Sequence, residues 1–77
     1  MPKVTLYGAP TCPDCHLAKI FLDEHKVDFQ DVNVSDKAKA QEMVGKTQQR
    51  TIPVIMVGDE FIVGFDKAKI KGLLRLK

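Results

Sequence analysis

The sequence lacks the features that mark membrane, secreted and nucleic-acid-binding proteins. It contains no apolar run long enough to span a membrane, and its first residues match no signal-peptide pattern. We therefore expect a cytoplasmic protein that binds no membrane. The net charge is only +2, the lysines are interspersed with acidic residues, and no basic stripe alternates with aromatic residues. This composition argues against nucleic acid as a partner.

Cysteine is also scarce, because Cys12 and Cys15 are the only two. A disulfide between them would close too short a loop to constrain the unfolded chain strongly, and the cytoplasm keeps thiols reduced. The pair is therefore predicted to serve chemistry rather than stability. The 77 residues, of which 44% are hydrophobic and 29% charged, predict one small globular domain spanning residues 1–77.

The order of predicted elements along the chain is βαβαββα. Strands are predicted at Val4–Tyr7, Asp28–Asn33, Pro53–Val57 and Glu60–Val63, the last two joined at Gly58-Asp59. Helices are predicted from Pro13 to about His25, from an N-cap at Ser35 through Val44 with Gly45 as its stop, and after an N-cap at Asp66. Such an order indicates an α/β fold with helices on both faces of a small sheet.

The first helix carries apolar residues at helical spacing: Leu17, Ile20 and Phe21, with Ala18 and Leu22 widening the stripe. Cys12 falls where the first strand meets this helix. In open α/β sheets, chemistry is concentrated at the carboxyl ends of the strands. The cysteines are therefore predicted to lie at the functional end of the sheet.

The string Thr11-Cys12-Pro13-Asp14-Cys15-His16 is compatible with three chemistries. Covalent haem attachment matches C-x-x-C-H, but the chain has no secretory signal and offers a poor choice of sixth iron ligand. A structural zinc site needs four ligands, and the sequence has no second pair of closely spaced ligands. A dithiol site needs nothing further. We therefore predict dithiol chemistry and no metal.

The helix start explains how a dithiol would work here. Free N–H groups and the positive end of the helix dipole stabilise a thiolate at Cys12. Cys15 lies one turn further along and can attack a mixed disulfide formed on Cys12. The carboxylate of Asp14 has two interpretations: it opposes the thiolate by charge repulsion, or it only complements the positive end of the helix dipole.

A second feature lies about forty residues downstream, in Arg50-Thr51-Ile52-Pro53-Val54-Ile55. Proline is tolerated at the start of a strand, and we predict a cis bond between Ile52 and Pro53. This geometry would turn the backbone of Ile52 toward the thiols. Its N–H and C=O could then pair with an extended substrate.

These motifs together resemble those of the glutaredoxins: Cys12-Pro13-Asp14-Cys15, Thr51-Ile52-Pro53 and Val63-Gly64-Phe65-Asp66. The resemblance covers essentially the whole chain, and it implies a thioredoxin-like fold with a four-stranded mixed sheet of order 2-1-3-4. The short length and the lack of Trp before Cys12 differ from ordinary thioredoxin. The resemblance also implies Cys12 as nucleophile, Cys15 as resolving thiol, and substrate-binding residues around them: Pro13, Asp14, Arg50, Thr51, Ile52, Pro53, Gly64, Phe65 and Asp66.

The chain departs from the usual glutaredoxin pattern at the positions that would bind glutathione. Asp14 replaces the usual Tyr, Val63 replaces a Gly, and Ala9 replaces the Lys that holds the glycyl carboxylate. By the resemblance, Asp66 would meet the γ-glutamyl ammonium group as well as cap a helix. Arg50 could replace the missing cation, or it could be a solvated loop residue.

Two functions therefore remain open at the level of the sequence. The first is a monomeric dithiol–disulfide oxidoreductase, without bound cofactor, that reduces protein disulfides or glutathione mixed disulfides. Its electrons would come from glutathione or a thioredoxin reductase-type flavoprotein, and ribonucleotide reductase or a peroxiredoxin could accept them. The alternative is a carrier of an iron–sulfur cluster or metal, which requires good glutathione binding.

Overall fold

The computed structural model describes residues 3–75, and its elements follow the predicted order. They are β1 (Val4–Gly8), α1 (Pro13–Glu24), β2 (Gln30–Asn33), α2 (Lys37–Thr47), β3 (Val54–Val57), β4 (Glu60–Val63) and α3 (Lys67–Leu74). The four strands form one sheet in the order β2-β1-β3-β4. The β1–β2 pair is parallel, whereas β3 is antiparallel to both β1 and β4. The predicted fold class is confirmed.

The two faces of the sheet are covered by different helices. Leu6 and Ile55 face α1 and α3, where they pack with Leu22 and Ile70 in the larger core cluster. All four side chains are fully buried, and each such burial contributes about 1.5–3 kcal/mol relative to exposure. On the other face, α2 packs through Met43 on Tyr7, Val32 and Val54.

The buried face of α1 differs from the predicted stripe. Cys15, Ala18, Phe21 and Leu22 are buried, whereas Leu17 and Ile20 are 46% and 41% exposed. The spacing predicted the helix correctly, but two residues of its apolar stripe, Leu17 and Ile20, lie outside the core. The small Ala18 and the thiol of Cys15 lie against the sheet instead, which allows the start of α1 to approach β1 closely.

The predicted boundaries of α2 and β2 also need correction. Asp36 rather than Ser35 caps α2, because its carboxylate accepts hydrogen bonds from Ala38 N–H at 2.9 Å and Lys39 N–H at 3.4 Å. The helix continues through Gly45 to Thr47 and ends at Gln48, which has a left-handed φ of 59°. The strand β2 starts at Gln30 because pairing with β1 begins at Thr5↔Gln30.

The strand β3 begins one residue later than predicted, at Val54, and Pro53 precedes it. The other two helices end and begin close to their predicted positions. His25 is the C-cap of α1, and Asp66 is the N-cap of α3, where its carboxylate accepts a hydrogen bond from Lys69 N–H at 3.2 Å. No helix within residues 3–75 is long and apolar enough to cross a membrane.

Candidate active site

The two thiols lie at the start of α1, where they are close together but buried to different depths. Cys12 is the N-cap and is partly exposed, whereas Cys15 is fully buried. The Cys15 backbone N–H points at the Cys12 sulfur, with 3.2 Å between Cys15 N and Cys12 Sγ. A free N–H of the first helical turn is thus directed at Cys12 Sγ, as a thiolate there requires. Both cysteines are free thiols in this structure.

The environment of Cys15 disfavours its charged form. Burial is the main cause that raises the pKa of Cys15 from 9.0 to about 11, and the Cys12 side chain adds to this rise. A hydrogen bond from the Ala9 backbone and the charge of Lys19 act in the opposite direction. At neutral pH Cys15 is therefore a protonated, inaccessible thiol.

The last residue of β1 determines how closely Cys15 approaches the sheet. A Cβ atom placed on Gly8 would lie 2.9 Å from both Cβ and Sγ of Cys15. Real Cβ atoms essentially never make contacts this short, so Gly8 leaves the space that Cys15 occupies. In the sequence, Gly8 is identifiable only as the end of a strand, because no local signal reveals a contact with a residue seven positions away.

Lys19 is a second residue near the site, after Gly8, that was not predicted from the sequence. It lies one helical turn after Cys15 on α1, and its ammonium group forms an ion pair with Asp31 on β2 at 2.8 Å. The sequence held one indication that Lys19 lies near Cys15: the two residues are four apart, and residues so spaced are neighbours on a helix.

The cis-proline segment lies at the same end of the sheet as the thiols. The Ile52–Pro53 bond is cis, as predicted. Tyr7 pairs with Val54, so Pro53 lies beside Gly8, the residue in contact with Cys15. Pro53 is itself fully buried, which leaves the half-buried Ile52 as the accessible part of this segment.

The start of α3 adjoins this segment through Gly64. Gly64 N–H donates a hydrogen bond to the Pro53 carbonyl at 2.7 Å. Its φ of 88° lies in the left-handed region that favours glycine. This bond joins the Val63–Asp66 motif to the cis-proline segment.

The other predicted site residues have varied surroundings. Pro13 and Asp14 are exposed on the first turn of α1, and Arg50 and Thr51 are exposed before β3. Phe65 is half-buried and packs edge-to-face on Phe21, with 6.1 Å between ring centroids. Phe65 therefore contributes to the core, and its predicted contact with substrate stays a prediction. So do the predicted substrate contacts of the exposed residues.

A fold of this topology with two free thiols at a helix start defines a protein of the thioredoxin-like class whose chemistry is dithiol–disulfide exchange. Sequence similarity identifies the family within this class. The profile of the Glutaredoxin family matches residues 4–62. The chain belongs to the glutaredoxin family and is a thiol–disulfide oxidoreductase.

Relatives agree over nearly the whole chain. An uncharacterized glutaredoxin-like 8.6 kDa protein from the rubredoxin operon of Clostridium pasteurianum is 42% identical over 72 residues, which cover 92% of this chain and 96% of the relative. Glutaredoxin 3 of Escherichia coli K12 is 36% identical over 67 residues, which cover 86% of this chain and 81% of the relative. The structure of the glutaredoxin-like NrdH-redoxin from Escherichia coli matches with a TM-score of 0.79 and 30% identity, over 92% of this chain and 93% of that one.

Proposed function

We propose that Cys12 is the attacking thiol and Cys15 the resolving thiol of this oxidoreductase. The observation that carries the assignment is the difference in depth: Cys12 is partly exposed with an N–H directed at its sulfur, and Cys15 is fully buried. A substrate disulfide can reach the first sulfur and not the second.

The reaction then consists of two thiol–disulfide exchanges. The Cys12 thiolate attacks one sulfur of the substrate disulfide, forms a mixed disulfide and releases the first substrate thiolate. Cys15 loses its proton to solvent and attacks Cys12 Sγ. The Cys12–Cys15 bond forms, the bond from Cys12 to the substrate breaks, and the second substrate thiolate leaves. The substrate gains two electrons, which the two cysteines supply.

The segment before β3 supports binding of an extended substrate beside Cys12. Ile52 lies outside β3, and within residues 3–75 its backbone N–H and C=O have no hydrogen-bond partner among helices, strands or turns. A substrate strand can pair with these groups. The Pro53 carbonyl is already occupied by Gly64, so Ile52 offers the pairing groups and Pro53 positions them.

The same site favours a flavoprotein reductase over glutathione as electron donor. Ala9 presents no cation for the glycyl carboxylate, so glutathione loses one of its charged contacts. The exposed Asp66 carboxylate accepts one hydrogen bond, from Lys69 N–H, and keeps its second oxygen for the ammonium group, so that glutathione binding is weakened and not abolished. The related NrdH-redoxin is described as having a thioredoxin-like activity profile. We assign this chain a thioredoxin reductase-type donor and disulfide-containing proteins as acceptors, with ribonucleotide reductase or a peroxiredoxin as candidates, acting as a monomer in the cytoplasm.

Mixed-disulfide trapping tests the roles of the two thiols. Cys15→Ser should accumulate a covalent adduct with a disulfide substrate, because no thiol resolves it, and Cys12→Ser should not. Intact-mass analysis under non-reducing conditions detects the adduct. Trapping by Cys12→Ser alone would reverse the assignment.

The electron donor is tested by reducing the oxidised protein in parallel with glutathione and with NADPH plus thioredoxin reductase. We expect faster reduction by the flavoprotein. Equal turnover with both donors would contradict the preference for the reductase and leave the dithiol mechanism intact.

A further inference from the structure

The resolving step requires a negative charge on a sulfur that the protein buries completely. Cys15 has to become a thiolate as it attacks Cys12, yet its side chain has no exposed surface. Removing a charge from water without compensation is costly. A cation close to Cys15 would therefore favour the resolving step. It would affect the first attack by Cys12 less, because the partly exposed Cys12 sulfur is stabilised by water as well.

Lys19 is placed to supply that cation. It follows Cys15 by four residues on α1, and the Cβ atoms of residues so spaced lie about 5–6 Å apart. The ion pair with Asp31 at 2.8 Å fixes the ammonium group, and the Lys19 side chain is only 33% exposed. Asp31 lies beside Leu6 in the β1–β2 pair. Leu6 is two residues before Gly8, the residue of β1 that leaves space for Cys15. The cation is thus held along the flank of the helix that buries Cys15.

Few other charges act on Cys15 within residues 3–75. On α1, Cys12 and Lys19 are the titratable side chains that influence it. From the sheet, β1 presents Leu6 and Gly8 to α1, and the following loop contributes the backbone of Ala9. Asp14 and His16, next to Cys15 in sequence, are exposed. Lys19 is the one positive charge in this set, and the carboxylate of its partner Asp31, 2.8 Å from the ammonium group, is the negative charge that opposes it. The cation has the larger influence, because Lys19 lowers the pKa of Cys15 and Asp31 is not among the groups that raise it.

We propose that Lys19, fixed by Asp31, is a positioning residue that stabilises the Cys15 thiolate during attack on the mixed disulfide. This inference rests on the proposed role of Cys15 as resolving thiol. Its proton is lost to solvent, and Lys19 keeps its own proton throughout. The cation therefore changes the population of the Cys15 thiolate and affects the first attack by Cys12 less.

The experiment follows both exchange steps with 5,5′-dithiobis(2-nitrobenzoate), which releases one coloured thiolate at each step. Stopped-flow absorbance should show a first phase from attack by Cys12 and a second from resolution by Cys15. Lys19→Met should slow the second phase about three- to tenfold near neutral pH, and the midpoint of its pH profile should rise. Lys19→Arg should restore the second phase. Thermal unfolding shows that each variant is folded.

Lys37→Met, on the opposite face of the sheet at the start of α2, is the control for lost net charge. A second phase in Lys19→Met that matches this control in rate and pH profile would overturn the role of Lys19. A slowed second phase whose pH profile does not move would indicate a structural effect and overturn it equally. The role of Cys15 as resolving thiol is tested independently of Lys19: if Cys15→Ser still shows both phases, that role is wrong.

Discussion

The depth of Cys15 in the protein predicts a large difference in alkylation between the two thiols. Its pKa is raised from 9.0 to about 11, chiefly by burial. At neutral pH this rise lowers the thiolate fraction about 100-fold, because each pH unit below the pKa is a factor of ten. The fully buried sulfur is also inaccessible to the reagent. Cys15 should therefore react with iodoacetamide more than 100-fold more slowly than an exposed cysteine of ordinary pKa.

The assay compares Cys12→Ser with Cys15→Ser, so that each variant presents one thiol and no disulfide can form. Alkylation by iodoacetamide is followed by intact mass between pH 6 and pH 9. We expect rapid modification of Cys12 in Cys15→Ser and very slow modification of Cys15 in Cys12→Ser. In urea, where burial is lost, the two rates should become similar.

In the Cys12→Ser variant the pKa of Cys15 is raised by less than in the wild type. The Cys12 side chain itself contributes to the raised pKa of Cys15, so the variant loses part of the protection and keeps the larger part, which comes from burial. A tenfold difference in rate at pH 8 is thus the minimum expected from burial. A difference of less than about tenfold between the rates of the two thiols in the native state at pH 8 would refute the reasoning.

Three further predictions concern stability and specificity. Burial and the hydrogen bond to Glu42 raise the pKa of Tyr7 to about 12. The free energy of unfolding should therefore fall by about 2–3 kcal/mol between pH 10 and pH 12, because the unfolded chain loses the Tyr7 proton first. Urea titrations of the wild type and of Tyr7→Phe, which lacks this loss, measure the difference. Gly8→Ala should cost about 1–3 kcal/mol and slow resolution by Cys15, as measured by urea unfolding and stopped flow; wild-type values for both would contradict the contact. Ala9→Lys should strengthen glutathione-dependent turnover about tenfold; no change, together with loss in Arg50→Ala, would show that Arg50 already binds the carboxylate.

The sequence alone determined the class of fold and the chemistry. Alternation of apolar residues and turn signals depend on neighbours within a few positions, so the element order and the cap at Asp66 were predictable. The spacing of Cys12 and Cys15 around Pro13 likewise places both thiols on the first turn of a helix, whatever surrounds that helix. The motif order was specific enough to indicate the glutaredoxin family.

Only the tertiary structure decided which side chains surround Cys15. Leu17 and Ile20 are as apolar as the residues that are buried, and the sequence could not show that the start of α1 packs through Ala18 and Cys15. The space beside Gly8 and the ion pair of Lys19 with Asp31 join positions distant in sequence. Such contacts depend on how the helix sits on the sheet, because burial and electrostatic environment belong to the packed molecule and not to any local segment.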